Sequence, residues 1–134
     1  MKAVFAAALL CMAASRSHAE VIWVRYASAT KVSLYGSYAY TQFNVNLGVW
    51  PVTAGHRVGV VSTTDGWRTV KWTDARWQCN LPNAYGSWDE QWNALENLAA
   101  PQAAQVWYAV YVDDQAGNRT WNNNNGWNFA AIVR

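Results

Sequence analysis

A chain of 134 residues with ten tryptophans and seven tyrosines, but only 13% charged residues, has room for one domain and little else. Its formal charge of +2 rests on Lys2 and Arg16; beyond residue 19 eight basic residues face eight acidic ones. No basic run is present to collect phosphates, which argues against nucleic acid as the main partner, and there is no acidic tail.

Lys2 gives a short positive start. Residues 4–14 form an apolar run of signal-peptide length, too short to span a bilayer as a helix. Ser17-His18-Ala19 is a small-x-small cleavage site. The three features predict a signal peptide over 1–19, a secreted domain over 20–134 and no membrane partner. Cys11 is a poor lipid anchor because bulky Leu10 precedes it, and it leaves with the leader. Cys79 is then alone, so no intramolecular disulfide forms. It reads as a small buried hydrophobe or a surface thiol.

Short apolar and aromatic segments follow between turn signals. Residues 21–26 and 31–35 read as strands. In 38–47, Tyr38, Tyr40, Gln42 and Asn44 alternate with Ala39, Thr41, Phe43, Val45 and Leu47, and the second set reads as the core face. Residues 57–62 (RVGVVS) form a buried strand, followed by shorter ones at 67–72 and 75–79. At 87–90 the sequence SWDE fits a helix capping box, with Trp88, Trp92 and Leu95 at helical spacing. Alternation fits the same residues; local rules favour helix, and the strand expected there is what the family resemblance given below implies. Pro101 and its alanines make a connecting loop. The strongest strand signal is 105–112 (QVWYAVYV). Residues 119–121 and 127–133 are expected to close the sheet as a last hairpin. The pattern predicts an all-β fold, a sandwich or a barrel, of about eight short strands.

A domain of this size has difficulty hiding ten tryptophans, so some should lie on the surface, where aromatic clusters mark binding sites. Two stretches place them beside polar turn residues. Thr64-Asp65-Gly66-Trp67 sets Trp67 at a loop tip; the alternative is a ring folded back onto the core. Residues 120–129, TWNNNNGWNF, set a run of amides beside aromatics. Asparagine tolerates left-handed backbone, and each amide both donates and accepts. Such a loop suits a pyranose, whose C–H face stacks on a ring while amides take its hydroxyls at a lower desolvation cost than carboxylates. A plain turn is the bland alternative.

In order, Val45-Asn46-Leu47-Gly48-Val49-Trp50, then Arg57-Val58-Gly59-Val60 leading to Thr64-Asp65-Gly66-Trp67, then Trp107-Tyr108-Ala109-Val110-Tyr111, then Trp121-Asn122-Asn123-Asn124-Asn125-Gly126-Trp127-Asn128-Phe129, resemble the family-21 carbohydrate-binding modules. These are the starch-binding domains of some glucoamylases; related modules occur in glycogen-targeting subunits of protein phosphatase 1. The resemblance runs from about Tyr38 to the C-terminus. It implies an immunoglobulin-like antiparallel β-sandwich and non-catalytic binding of α-glucan without a cofactor. It places one site on Trp67, Tyr108 and Trp121 with Asn123, Asn124 and Asn128, and a second on Trp50, Trp77 and Tyr85. Where the family has Asp after the closing aromatic, this chain has Asn122.

Catalysis is not expected. A glycoside hydrolase needs two carboxyls about 5–10 Å apart across a cleft, whereas the neighbours Asp89-Glu90 and Asp113-Asp114 point to opposite faces of a strand. A different reading is an adhesion or inhibitor protein using the same aromatics on a protein partner. Asn118-Arg119-Thr120 is a glycosylation sequon in a eukaryotic secretory pathway.

Overall fold

The computed structural model describes residues 20–99 and 104–134. The leader, with Cys11, and the connection around Pro101 lie outside the described residues.

Among the described residues all regular structure is β: β1 (Val21–Leu34), β2 (Ser37–Trp50), β3 (Arg57–Thr63), β4 (Lys71–Asp74), β5 (Arg76–Pro82), β6 (Trp88–Ala99), β7 (Gln105–Asp113), β8 (Arg119–Asn122) and β9 (Phe129–Ile132). One sheet runs β1-β2-β6-β5 and the other β4-β3-β7-β8, with β9 also on β7. Every pairing between these strands is antiparallel. This is the immunoglobulin-like order, four strands facing a sheet of the C′-C-F-G kind.

Alternation explains the layers. Along β2, Phe43, Val45, Leu47 and Val49 are buried; along β7, Val106, Tyr108, Val110 and Val112 are. With Val58 and Val60 of β3 they form one core between the sheets. At roughly 25 cal/mol per Å² of apolar surface removed from water, this core is the main favourable contribution to the fold. The segments 21–26 and 31–35 are parts of one long strand, because Ala27 and Ala29 between them pair with Val45 and Phe43. Residues 88–95 are strand rather than helix: β6 is hydrogen-bonded on both sides, to β2 and β5. Only Lys71 and Trp72 of the expected strand 67–72 are extended, as the start of β4, and Trp67 belongs to the preceding turn.

The expected closing hairpin does not form. β8 and β9 do not pair with each other but follow one another along the same edge of β7. Asn122 is level with Val110 and Phe129 with Tyr108, so the 123–128 loop stands out from the sheet opposite the single residue Ala109.

Candidate functional site

The two stretches singled out in the sequence meet on the outer face of the second sheet. Val61 of β3 and Ala109 of β7 are directly paired and point away from the core. Around them Trp67, Trp121, Asn123 and Asn128 close a shallow hollow of about 560 Å³. Its floor is small and apolar, and its walls are two tryptophans that are 37% and 45% exposed. That is enough free ring for a ligand to stack on.

Each wall is held by its own loop. The Thr63 hydroxyl accepts from the backbone N–H of Trp67 at 3.0 Å. Asp65 accepts from the Thr69 hydroxyl at 2.6 Å and the Thr69 N–H at 2.9 Å. These two bonds and the Thr63 hydroxyl hold the Asp65 carboxyl down at about 2. The turn leaves Trp67 at φ 72°, a left-handed backbone that a bulky residue adopts only under constraint, and such constraint is common at binding sites.

Trp121 is braced by a ladder of rings. It lies 5.2 Å from Tyr111 and 5.9 Å from Trp72, centroid to centroid. The Arg119 guanidinium caps Tyr111 at 3.9 Å and is fixed by two bonds to Asp113, at 2.7 and 2.9 Å. Asp113 holds the Arg119 guanidinium pKa above its ordinary value. Tyr111 lies flat across Gly59, where a Cβ would come within 2.3 Å of its hydroxyl.

The asparagine loop uses its residues in different ways. Asn124, Asn125 and Asn128 take positive φ of 55–60°, conformations asparagine reaches more readily than most residues. The Asn123 carbonyl accepts from the N–H of Gly126 and of Asn128, and the Asn123 side chain accepts from Gly126 N–H at 2.9 Å. The Asn124 amide donates to the Asn128 carbonyl at 3.1 Å. Asn123 and Asn128 border the hollow, whereas Asn124 buttresses the loop outside it.

Tyr108 does not reach the hollow. It is 3% exposed and packs between Phe43 and Phe129, at 5.1 and 5.4 Å. Even-numbered residues of β7 point inward, and its outward neighbour Ala109 takes the place on the floor. Burial pushes its phenol up to about 12.

A second hollow, of about 470 Å³, opens at one end of the first sheet. It brings Trp50 and Tyr85 together with Trp23, Asn83, Ser87 and Asp89. Trp23 lies over Gly48 of β2, where a Cβ would meet its ring at 2.3 Å. Asp89 is buried and accepts from Asn83 at 3.0 Å and Arg25 at 3.3 Å. Tyr85 is 93% exposed at a turn closed by the Asn83 side chain, which accepts from the N–H groups of Tyr85 and Ser87. Trp77 is exposed on β5 and bonds Asn80 at 3.1 Å; it does not border this hollow. Trp88 and Asn80 line an adjoining depression with Trp50. Sequence reasoning missed Trp23, Asn83 and Asp89, which come from strands and turns far apart in the chain. The SWDE motif offered a hint, because it places Ser87, Trp88 and Asp89 beside Tyr85.

Among the described residues no group of three or more His, Cys, Asp or Glu side chains is arranged to hold a metal. Cys79 is a free, half-buried thiol.

No protein-family model matches the chain, and no curated protein does. Among solved structures it is similar to the carbohydrate-binding module of the muscle glycogen-targeting subunit of protein phosphatase 1. The TM-score is 0.55 at 19% identity, over 83% of this chain and 74% of that one. The two share a fold, and the resemblance carried by the motifs holds at that level.

Proposed function

We propose that this domain is a non-catalytic α-glucan-binding module that works outside the cytoplasm once residues 1–19 are removed. One observation carries the reading: two half-exposed tryptophans, Trp67 and Trp121, wall a small apolar floor whose rim is made of the amides Asn123 and Asn128. A pyranose stacks its C–H face on such rings, and neutral amides take its hydroxyls without the cost of stripping water from a charge. The glycogen-targeting module of the same fold supports the choice of ligand class. The second hollow likewise sets rings, Trp23, Trp50 and Tyr85, beside hydrogen-bonding groups, here the Asn83 amide and the Asp89 carboxylate.

The carboxylates support binding over catalysis. Asp89 and Glu90 leave β6 on opposite faces, the first toward Arg25 and the second toward His56. Asp113 is tied to Arg119, and Asp114 closes a turn by accepting from Asn118. Shallow stacking sites of this kind bind with dissociation constants from about micromolar to millimolar, roughly −8 to −4 kcal/mol.

The test is retention of the protein on insoluble starch, with cellulose and chitin as controls, beside a tryptophan-fluorescence titration with maltoheptaose and an assay for released sugar. Retention on starch alone, a fluorescence change and no released sugar support the reading. Failure to bind starch and maltoheptaose rejects it and turns attention to a protein partner for the same aromatics.

A further inference from the structure

The outer face of the first sheet continues from the second hollow as a strip of amides. Along β2 the outward positions after Trp50 are Gly48, covered by Trp23, then Asn46 and Asn44; across from them on β6 stand Gln91, Asn93 and Leu95. Asn93 donates both protons of its amide, one to Asn44 Oδ1 at 2.6 Å and one to Asn46 Oδ1 at 2.7 Å. The three side chains therefore fix one another. Among the described residues, no hydrogen bond engages the Nδ2 protons of Asn44 and Asn46 or the Oδ1 of Asn93. The strip thus presents outward donors and an acceptor that are already oriented. Its own side chains are neutral; Arg76 of β5 stands beside Asn93 in register, and Arg25 and Asp89 pair with each other at the hollow end.

From this we infer that the second hollow is one end of a longer track, in which Asn44, Asn46 and Asn93 hydrogen-bond the hydroxyls of an extended α-glucan running along β2. The inference rests on the reading of that hollow as a glucan site. From Trp50 to Asn44 is six residues of strand, about 20 Å, so the track spans several sugar rings. Side chains locked by their neighbours lose little rotamer freedom on binding, which favours affinity. Outward groups that alternate donor and acceptor match hydroxyls, which both donate and accept. The centre of the strip is three amides, with Tyr26, Leu95 and Arg76 beside them in register, rather than the apolar core of a protein interface.

The experiment uses the Trp67→Ala/Trp121→Ala protein, which leaves the second hollow and the strip intact, and compares it with the same protein carrying Asn44→Ala and Asn46→Ala. Calorimetric titration with maltotriose and with maltoheptaose reads chain-length dependence. We expect maltoheptaose to bind about tenfold more tightly than maltotriose when the strip is intact. In the Asn44→Ala/Asn46→Ala protein that advantage disappears while maltotriose binding is unchanged. An advantage that survives both substitutions overturns the track while leaving the hollow as a site. Absence of binding by either sugar before the asparagines are changed rejects the hollow itself, and the track with it. Unfolding midpoints check that the variants fold; Asn46→Ser alone, read by the same criteria, serves if the double change does not.

Discussion

The side-chain amide of Asn122, on β8, donates to the main-chain carbonyl of Ile22, on β1, at 2.8 Å. It ties the two sheets together at the base of the asparagine loop, and its oxygen accepts from the N–H of Asn124 at 3.0 Å. An aspartate here keeps the second bond but loses the first and sets its charge against a carbonyl. We expect Asn122→Asp to lower unfolding free energy by about 1–3 kcal/mol, measured by urea denaturation. A variant as stable as the parent would show that the inter-sheet bond contributes nothing.

Trp121 and Tyr108 should respond in opposite ways. Trp121→Ala removes a wall of the first hollow and should weaken binding of maltoheptaose there by about tenfold or more, at a stability cost of about 1 kcal/mol for the lost ring contacts. Tyr108→Ala opens a cavity between Phe43 and Phe129 and should cost about 3–5 kcal/mol. Tyr108→Phe should leave binding unchanged, because its hydroxyl never meets the ligand. Parallel titrations and unfolding curves decide both.

Gly59 acts on the site from beneath. Tyr111 cannot keep its place over an added methyl, and Tyr111 supports Trp121 and Arg119. Gly59→Ala should destabilise the domain by about 1–3 kcal/mol and weaken binding at the first hollow, although Gly59 does not border it. Binding unaltered by Gly59→Ala would mean that the ring ladder does not position Trp121.

The pH dependence of stability follows from His56. Its imidazole is buried between two carboxylates, with Nδ1 2.8 Å from Glu90 and Nε2 2.5 Å from Glu20. Burial opposes its charge, but the bonds and charges of Glu90 and Glu20 outweigh burial and raise its pKa above 6.5. This contribution is present in full below 6.5 and is lost as pH rises through the higher folded value. For Glu90, burial likewise opposes ionisation, yet bonds from His56, the Thr53 N–H and the Trp92 indole lower its pKa below 4.5. Its contribution is present above 4.5 and is lost as pH falls through the lower folded value. Thermal unfolding should therefore peak between about 4.5 and 6.5. In His56→Gln the decline on the alkaline side should vanish.

The strands were readable where one face is apolar and the other polar, as in 38–47, or where a run is made mostly of valine and aromatic residues, as in 105–112. The join between 21–26 and 31–35 was not, because Ala27, Ser28, Ala29 and Thr30 carry weak strand signals and are held by their register on β2. The capping-box pattern at 87–90 competed with the strand expected there; the strand forms, and Glu90, the residue that would bond back to the cap, is turned inward to His56. Trp67, Trp121, Asn123 and Asn128 could be chosen from local chemistry, since a turn with exposed aromatics and amides looks the same in sequence as on the surface. Tyr108 could not be excluded, because β7 has aromatic residues on both parities and alternation alone does not say which set faces the core. The hollow around Trp23 and Asp89 depends on which strands become neighbours, and that is a property of the whole sheet order.

Because β8 and β9 each register on β7 independently, the length of the 123–128 segment is uncoupled from the alignment of the sheet. Residues can be added to or removed from it without turning any side chain of either flanking strand from core to solvent. The segment is in effect an interchangeable cartridge seated in a fixed frame. It is therefore the natural place to graft a new sequence without disturbing the sandwich that holds it.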